Sequence, residues 1–275
     1  MLQEVQTTKI KPSGSWVSLD LMELWTNREL LYFVTERDIK IRYKQTAIGV
    51  LWVILQPVLT TAIFTALFSS FERFDTGKIP YSLFALSGLL IWFFVNTSIS
   101  SASNSLVGYK NLVTKIYFPR LILPFSATLA GLIDFGLSFL ILLVLMIYYA
   151  IFPTWQILLA PFFVLLAVLL TISLGTLFSA LNVRFRDVKF ALPFVLQIWL
   201  FTSPIFYPSS ILSENRRFLL ALNPLTGILE GFRSAVFGLP FNWIPIGLSV
   251  VSTIVISVLS LYIFKNMEDD FADVI

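Results

Sequence analysis

The chain alternates between long apolar runs and shorter polar segments. Six runs without Lys, Arg or Glu approach the roughly 20 residues that a membrane helix needs, at about 47–71, 81–107, 121–150, 156–182, 190–206 and 245–264. The fifth run is the shortest, and Asp134 interrupts the third. The pattern predicts an all-α polytopic membrane protein with six transmembrane helices.

Lys and Arg are distributed unevenly between the two sides that six spans create. Segments 1–46, 108–120, 183–189 and 265–275 hold 14 of the 19 Lys and Arg residues. Because cytoplasmic loops are rich in these residues, both termini are predicted to be cytoplasmic. We expect a single transmembrane domain over residues 1–275, with a cytoplasmic segment, a six-span region and a cytoplasmic tail at 1–46, 47–264 and 265–275.

Three segments outside the spans predict shorter helices. Residues 20–37 predict an amphipathic helix along the inner membrane surface, with Trp25 on its apolar side and Val34 outside that pattern. Segment 108–120 has room for one short helix. Segment 207–244 is apolar but carries several charges and prolines, which favours short external helices that dip into the outer leaflet.

Composition excludes several functions. The chain is 57% hydrophobic and 13% charged, against about 25% charged residues in soluble domains. It has no Cys and no His, so it lacks thiol chemistry, the usual general base and the commonest metal ligand. We therefore expect no catalytic residue and no metal site. The net charge of +3 reflects basic residues at helix ends, which favours membrane orientation over nucleic-acid binding. The polar first 20 residues do not predict a cleavable signal peptide.

A basic segment leads directly into the first apolar run. Arg37, Lys40 and Lys44 are spaced i, i+3 and i+7 and share one helical face, with Arg42 and Tyr43 between them. We call Arg37, Lys40, Arg42 and Lys44 the basic collar. Cations at the mouth of a membrane helix attract anionic lipid and set the direction of the helix.

No G-x-x-x-x-G-K-[ST] sequence occurs, so the chain lacks a Walker-type phosphate loop. Uphill transport would then need an ion gradient or a partner chain. Asp134 is the only ionisable residue well inside a predicted span, and an acid at that position is a candidate proton or cation site. The alternative is a structural carboxylate that reaches water or a Ser or Asn partner.

Two further patterns lie within the predicted spans. Ser98, Ala102 and Ser105 share one face of the second span, which favours close helix packing over a ligand site. Aromatic residues concentrate near the span ends, as in interfacial belts. The alternative is that some of these rings line a path for sugars, whose apolar faces suit aromatic rings; the candidates are Trp52 with Gln56, and Trp199 with Phe201.

Five ordered segments carry a resemblance to a known family. They are RDIKIRYKQTAIGVLWVILQP (37–57), YKNLVTKIYFPRLILP (109–124), NVRFRDVKF (182–190), FTSPIFYP (201–208) and LNPLTGILEGFR (222–233). Together they resemble the ABC-2 family of exporter membrane subunits, in the branch that serves O-antigen, capsular polysaccharide and teichoic acid. The resemblance covers residues 20–264.

The resemblance implies an assembly with other chains. Members form a homodimer of six-span subunits with two copies of a separate ABC ATPase, so ATP and Mg would bind to the partner and this chain would hold no cofactor. The channel would lie at the dimer interface, lined mainly by spans 1 and 5. Short external helices between spans 5 and 6 would form a gate.

The resemblance also implies two groups of site residues. A cytoplasmic gate, which would receive the pyrophosphate of a polyprenyl-linked glycan, comprises Arg37, Lys40, Arg42, Tyr43 and Lys44. Contacts with the ATPase would come from Tyr109, Lys110, Lys115, Arg184 and Arg186. Arg42 and Lys44 suit the charge of pyrophosphate. Anchoring by the positive-inside rule explains the same charges equally well, and both interpretations stay open.

The expected function is that of a channel-forming subunit in an ATP-driven exporter of polyprenyl-linked polysaccharide across the bacterial inner membrane. O-antigen lipopolysaccharide precursor is the favoured substrate, and capsular polysaccharide or teichoic acid comes next. Three less favoured functions are an ABC-2 drug or lipid exporter, a proton-coupled transporter that uses Asp134, and a receptor or scaffold without transport.

Overall fold

The fold is described from a computed structural model, in which residues 21–44, 50–68 and 79–271 are described. Eleven α-helices and no strand occur in these ranges. The helices are α1 Leu21–Thr26, α2 Arg28–Lys44, α3 Val50–Phe68, α4 Tyr81–Gly108, α5 Lys110–Lys115, α6 Ile122–Tyr148, α7 Ala160–Arg184, α8 Val188–Phe201, α9 Glu214–Ala221, α10 Pro224–Phe237 and α11 Trp243–Glu268. The all-α prediction is confirmed.

Five segments are long and apolar enough to cross a membrane: Leu51–Phe68, Tyr81–Gly108, Ile122–Tyr148, Trp155–Arg184 and Trp243–Glu268. The sequence predicts a full span at 190–206, but the helix found there is shorter than a span. This run contains α8, whose 14 residues extend about 21 Å, less than the roughly 30 Å of a bilayer core. The helix ends at Phe201, and the chain then turns before Pro204 and Pro208.

Helix α4 lies at the centre of the bundle and packs against α3, α6 and α7. Small residues bring these helices close together, as the spacing in the second span predicts. A Cβ atom on Gly175 of α7 would lie 2.7 Å from Ala102 Cβ, and a Cβ on Gly131 of α6 would collide with Ser98 Oγ. Each contact leaves no space for a methyl group, so α4 is fixed against both neighbours.

The N-terminal helical segment differs from its prediction in length and in its buried face. The prediction ends at residue 37, whereas α2 continues to Lys44 and carries the whole basic collar. Val34, outside the predicted apolar face, is buried against α6 and its neighbours, and Trp25 is 67% exposed. Leu24 and Leu31, which belong to the predicted apolar side, also pack against this buried cluster, whereas Trp25 of α1 stays exposed.

The polar segments come together at two opposite ends of the bundle. At the first end, Arg120 donates to the Glu268 carbonyl and Tyr109 donates to Asp38 of α2. At the second end, the Tyr81 hydroxyl donates to the Phe206 carbonyl over 3.0 Å. We call these the collar end and the Arg233 end, after the residues described below.

The short helices fall where the sequence predicts them. Helix α5 occupies the 108–120 loop, and α9 and α10 occupy segment 207–244. In α10, Pro224 occupies the first turn, the Asn223 side chain accepts a hydrogen bond from Leu225 N, and Gly238 ends the helix at φ 70°. These are the residues that favour a helix start and a left-handed end. Most of α10 is buried.

Candidate functional site

Arg42 and Tyr43, near the end of α2, converge on the carboxylate inside α6. Arg42 Nη1 pairs with Asp134 Oδ2, and the Tyr43 hydroxyl donates to Asp134 Oδ1. The Arg42 and Asp134 side chains are only 26% and 16% exposed, so salt screens this pair less than a surface pair. From the sequence, a structural Asp134 is expected to reach water or a Ser or Asn partner. In the structure its partners are Arg42 of the basic collar and the neighbouring Tyr43.

A second carboxylate ties α2 to the start of α5. The Tyr109 hydroxyl donates to Asp38 Oδ1, and the Ser126 hydroxyl of α6 donates to Asp38 Oδ2 over 3.4 Å. Burial raises the pKa of Asp38 although both hydrogen bonds lower it. Burial and the neighbouring carboxylate also raise the pKa of Tyr109, so its phenol stays a donor at neutral pH. One hydrogen bond, from Tyr109 at the start of α5 to Asp38, thus links α5 to α2.

The other cations of the basic collar have different surroundings. Lys40 Nζ pairs with Glu36 at 2.6 Å on the surface of α2, and Lys44 is exposed. The Arg37 guanidinium lies over the Tyr109 ring, 4.8 Å from its centroid. Among the ion pairs of the described ranges none includes Arg37. The Tyr109 ring therefore contacts the Arg37 guanidinium, and the charge of Arg37 also acts on the Asp38 carboxyl group, whose pKa it lowers.

A groove of about 420 Å³ separates α2 from α4 at the collar end. Arg37, Asp38 and Arg42 line one side, and polar residues of α4 that include Ser101 and Asn104 line the other. Two faces of α4, the second span, therefore have different surroundings. Ser98 and Ala102 pack against neighbouring helices, as predicted, whereas the adjacent face borders an open polar groove.

The residues predicted to contact an ATPase separate into two groups. Lys110 of α5 and Arg186 of the α7–α8 turn line one pocket of about 400 Å³, together with Lys189. Arg184 lines a different pocket beside Phe271 at the C-terminal end of α11. The two loops thus lie side by side at the collar end, and Lys110 and Arg186 form one basic surface. Lys115 is exposed at the end of α5, and Tyr109 joins α5 to the basic collar.

The aromatic candidates for a substrate path also differ among themselves. Trp52 and Phe201 are 54% and 60% exposed, and Gln56 borders a small cavity that also reaches Asp134. Trp199 is held in place, since its ring packs edge-on against Trp92 and its Nε1 donates to Asn223 Oδ1 over 2.9 Å. Trp52, Gln56 and Phe201 stay candidates for lining a path, whereas Trp199 has a structural partner on each side.

Arg233 of α10 is a buried cation that the sequence did not predict to be important. Its nitrogens donate to the carbonyls of Pro204 and Ile205 at 2.7 Å each, to the Phe84 carbonyl at 3.1 Å and to Ser87 Oγ at 3.2 Å. The guanidinium also lies 3.7 Å from the centroid of the Phe84 ring. Its residue exposure is 4%. An arginine within the largely apolar run 222–240 was the available signal, because a buried charge must find partners.

Asn223 completes this cluster from the start of α10. Its side chain accepts from Trp199 Nε1 and donates to Ser203 Oγ at 2.9 Å. We call Trp199, Ser203, Asn223 and Arg233 with their carbonyl partners the Arg233 cluster. Beside it, the Phe206 ring stacks on Phe64 of α3 with centroids 3.7 Å apart. The segments 201–208 and 222–233, which carry two of the sequence motifs, are therefore one hydrogen-bonded unit.

These features define a multi-pass helical membrane protein with a charged surface at one end and a buried polar cluster at the other. Across the described ranges, no group of three or more acidic side chains is placed to hold a metal ion. The profile of the ABC-2 type transporter family matches residues 29–237. The chain therefore belongs to the ABC-2 type transporter family, whose members are membrane transport subunits, and it is a multi-pass protein of the bacterial inner membrane.

Relatives with assigned functions are similar along nearly the whole chain. The O-antigen export system permease protein RfbA of Myxococcus xanthus is 32% identical over 255 residues, which cover 91% of this chain and 97% of the relative. RfbA of Klebsiella pneumoniae is 26% identical, with coverage of 90% and 95%. The polysialic acid transport protein KpsM of Escherichia coli is 24% identical, with coverage of 85% and 91%. The similarity thus lies with the polysaccharide branch of the family.

Proposed function

We propose that this protein is the transmembrane subunit of an ATP-driven exporter of polyprenyl-linked polysaccharide, with O-antigen precursor as the favoured substrate. The observation that carries the proposal is the similarity to O-antigen export permeases along more than nine-tenths of both chains. The resemblance of the 37–57 and 201–208 segments to the glycan branch supports the same substrate class. Capsular polysaccharide is the alternative, since polysialic acid permeases are also similar.

The energy source in this proposal is a separate ABC ATPase that binds ATP and Mg. The sequence has no Walker-type phosphate loop, so hydrolysis would take place on the partner. Lys110 and Arg186 line one basic surface and would contact that ATPase together with Lys115. Two copies of this chain would enclose the channel with α3 and α8, whose exposed rings include Trp52 and Phe201.

The proposal includes six passes with both termini in the cytoplasm. Helix α8 begins beside Lys110 at the collar end, and the turn that follows it reaches Arg233 and the first turns of α4. The short helix and its turn would together complete the fifth pass, with α9 and α10 as external gate helices. The Lys and Arg excess of the collar end supports a cytoplasmic location for it.

In this mechanism, α2 is the element that transmits the ATPase cycle. Motion of α5 would reach α2 through the Tyr109–Asp38 hydrogen bond and then α6 through Arg42 and Asp134. Both links join side chains on separate helices, so they can break and re-form without unfolding either helix. The basic collar, which lies on α2, would then change its position relative to the membrane when ATP is bound or hydrolysed.

Isolation of the tagged chain from its native membrane tests the proposal. We expect an ABC ATPase to co-purify, and we expect undecaprenyl-linked polysaccharide to stimulate its ATP hydrolysis. As a control, the same lipid carrier without the glycan should stimulate hydrolysis less. Purification without any ABC ATPase, under conditions that preserve known transporter complexes, would contradict the proposal.

A further inference from the structure

The loop between α5 and α6 is attached to the end of α11. Arg120 in this loop donates a hydrogen bond to the carbonyl of Glu268, the last residue of α11. Its guanidinium also lies over the Phe271 ring, 5.8 Å from the centroid. Carbonyls in the last turn of a helix have no partner within the helix, and the helix dipole favours a cation beside them. Arg120 therefore satisfies the end of α11 and holds the loop against it.

Phe271 lies beyond the end of α11 and is nevertheless buried, with 1% exposure. Its ring packs edge-on against Phe264 of α11, with centroids 5.3 Å apart. Both rings belong to a cluster of buried apolar residues that also contains Val113 of α5 and Phe118 of the following loop. The larger cluster between the membrane helices contains neither ring. The apolar side of α5 therefore packs into a small core of its own, to which the segment after α11 contributes.

Helix α11 is itself held at its opposite end. Ser249 Oγ accepts a hydrogen bond from the backbone N–H of Gly227 in α10 over 2.9 Å, and a Cβ atom on Gly227 would collide with the Pro245 carbonyl. Helix α11 also packs along α7. Since closely packed backbone leaves little room for movement, α11 is a fixed support for the loop that Arg120 attaches to it.

The two ends of α5 are therefore attached in different ways. At its start, one pair of side chains, Tyr109 and Asp38, joins it to α2. After its end, the attachment consists of a hydrogen bond to a backbone carbonyl and a buried ring. Two side chains can separate while both helices stay in place, whereas release of the second attachment requires the end of α11 to move. Helix α5 is thus held more firmly towards α11 than towards α2.

We propose that Arg120 and Phe271 are positioning residues that anchor α5 to α11, so that α5 turns about this anchor and its movement is delivered to α2. Neither residue is among those that the family resemblance assigns to contact with the ATPase. The anchor itself is a property of this chain alone. Its part in transmitting the ATPase cycle rests on the proposed function.

Hydrogen exchange of the α5 amides, measured by mass spectrometry on the full chain in nanodiscs, tests the anchor. We expect Phe271→Ala and Arg120→Met each to raise the exchange rate of these amides about 10-fold, because a buried ring or a charged hydrogen bond no longer opposes local opening. Arg120→Lys, which keeps a cation at the end of α11, should restore most of the protection.

Phe163→Ala is the matched control for this measurement. The Phe163 ring is also buried, with 2% exposure, but it lies in the larger cluster between the membrane helices. Its loss should lower the thermal midpoint without changing exchange in α5. Unchanged α5 exchange in either Phe271→Ala or Arg120→Met, or equal acceleration in Phe163→Ala, would overturn the proposal.

The complex with its ATPase, in proteoliposomes, tests the consequence for transport. In Phe271→Ala the glycan exported for each ATP hydrolysed should fall several-fold while the KM for ATP stays unchanged, because the nucleotide site of the proposed function lies on the partner. Co-purification with the ATPase shows that the variant has folded. Export for each ATP equal to wild type, in a variant with accelerated α5 exchange, would overturn the transmission step. A wild-type chain that binds no ATPase would count against the proposed function instead, and the exchange measurement would still decide the anchor.

Discussion

Arg42 and Arg233 both lie largely out of water, but the protein satisfies them in different ways. Arg42 shares one carboxylate with a tyrosine, and its side chain keeps 26% exposure. Arg233 is buried among three backbone carbonyls, a serine hydroxyl and an aromatic ring. Backbone carbonyls cannot move without moving the chain, whereas two side chains can separate and meet again. The difference indicates a fixed Arg233 end and a collar end that can change its contacts.

Loss of Arg233 should have the largest effect on stability. Arg233→Met removes the donor of several hydrogen bonds. The Phe84 carbonyl keeps a hydrogen bond from Ser87 Oγ, whereas the buried Pro204 and Ile205 carbonyls lose this partner, at about 1–3 kcal/mol for each group left unsatisfied. We expect at least about 2 kcal/mol of destabilisation, measured as thermal unfolding and folded yield in detergent. Arg216→Met, at an exposed position on α9, is the control. A folded yield and midpoint equal to wild type would show that the Arg233 end is not fixed in this way.

Gly88→Ala tests the same region without removing a charge. A Cβ atom there would collide with the Arg233 guanidinium and lie 2.9 Å from the Ile205 carbonyl oxygen. We expect about 1–3 kcal/mol of destabilisation, typical of overpacked sites, again from the thermal midpoint. Gly136→Ala on α6, where no atom lies within 4 Å of the added Cβ, should leave the midpoint unchanged or raise it. Equal midpoints for the two variants would contradict the close approach at Gly88.

Arg42 and Arg233 also show which parts of the structure could be predicted from the sequence. Long charge-free runs predict most of the membrane helices because burial in lipid requires them, and Pro and Gly mark the ends of α10. The contacts of Arg233 could not be predicted, because its partners are backbone carbonyls on two distant segments. The Asp134–Arg42 pair was missed for a similar reason: only tertiary packing brings α2 alongside α6. The same packing decides that Val34, and not Trp25, faces inward.

Asp134→Asn should have a smaller effect on stability than on coupling. The amide keeps an oxygen that can accept from Tyr43 but loses the charge that pairs with Arg42. In a double-mutant cycle with Arg42→Gln we expect a coupling energy of about 0.5–3 kcal/mol, typical of residues in contact. We also expect less glycan exported for each ATP hydrolysed.

Two results would change this interpretation of Asp134. Glu36→Gln, which removes the exposed partner of Lys40, is the control and should alter neither stability nor export. A coupling energy of zero for Asp134 and Arg42 would remove the proposed tie between α2 and α6. Export by the wild type that stops when the proton gradient is collapsed, with ATP still present, would favour a proton-coupled role for Asp134.

Tyr109→Phe should have the smallest effect on stability, about 0.5–1.5 kcal/mol for one hydrogen bond. The ring that supports Arg37 remains, but the donor to Asp38 is lost. Because that hydrogen bond lowers the pKa of Asp38, its removal raises the pKa further above the value in the unfolded chain. A raised carboxyl pKa favours the folded state at low pH and loses that contribution as pH rises through it.

The pH dependence of unfolding gives the measurement for this variant. The stability of Tyr109→Phe should therefore fall more steeply than that of wild type as pH rises from about 4, near the usual pKa of an aspartate. Tyr117→Phe, at an 82% exposed position in the same loop, is the matched control. Parallel pH profiles for Tyr109→Phe and wild type would show that the Tyr109 hydroxyl does not act on Asp38.

Reconstitution of transport tests the proposed function most directly. The purified chain and its ABC ATPase are placed in proteoliposomes with an undecaprenyl-linked polysaccharide, and the glycan that becomes accessible to an added hydrolase on the far side is measured. We predict ATP-dependent translocation that requires both proteins and persists without an ion gradient. Translocation without the ATPase, or ATP hydrolysis by the complete complex without any movement of glycan, would contradict the assignment.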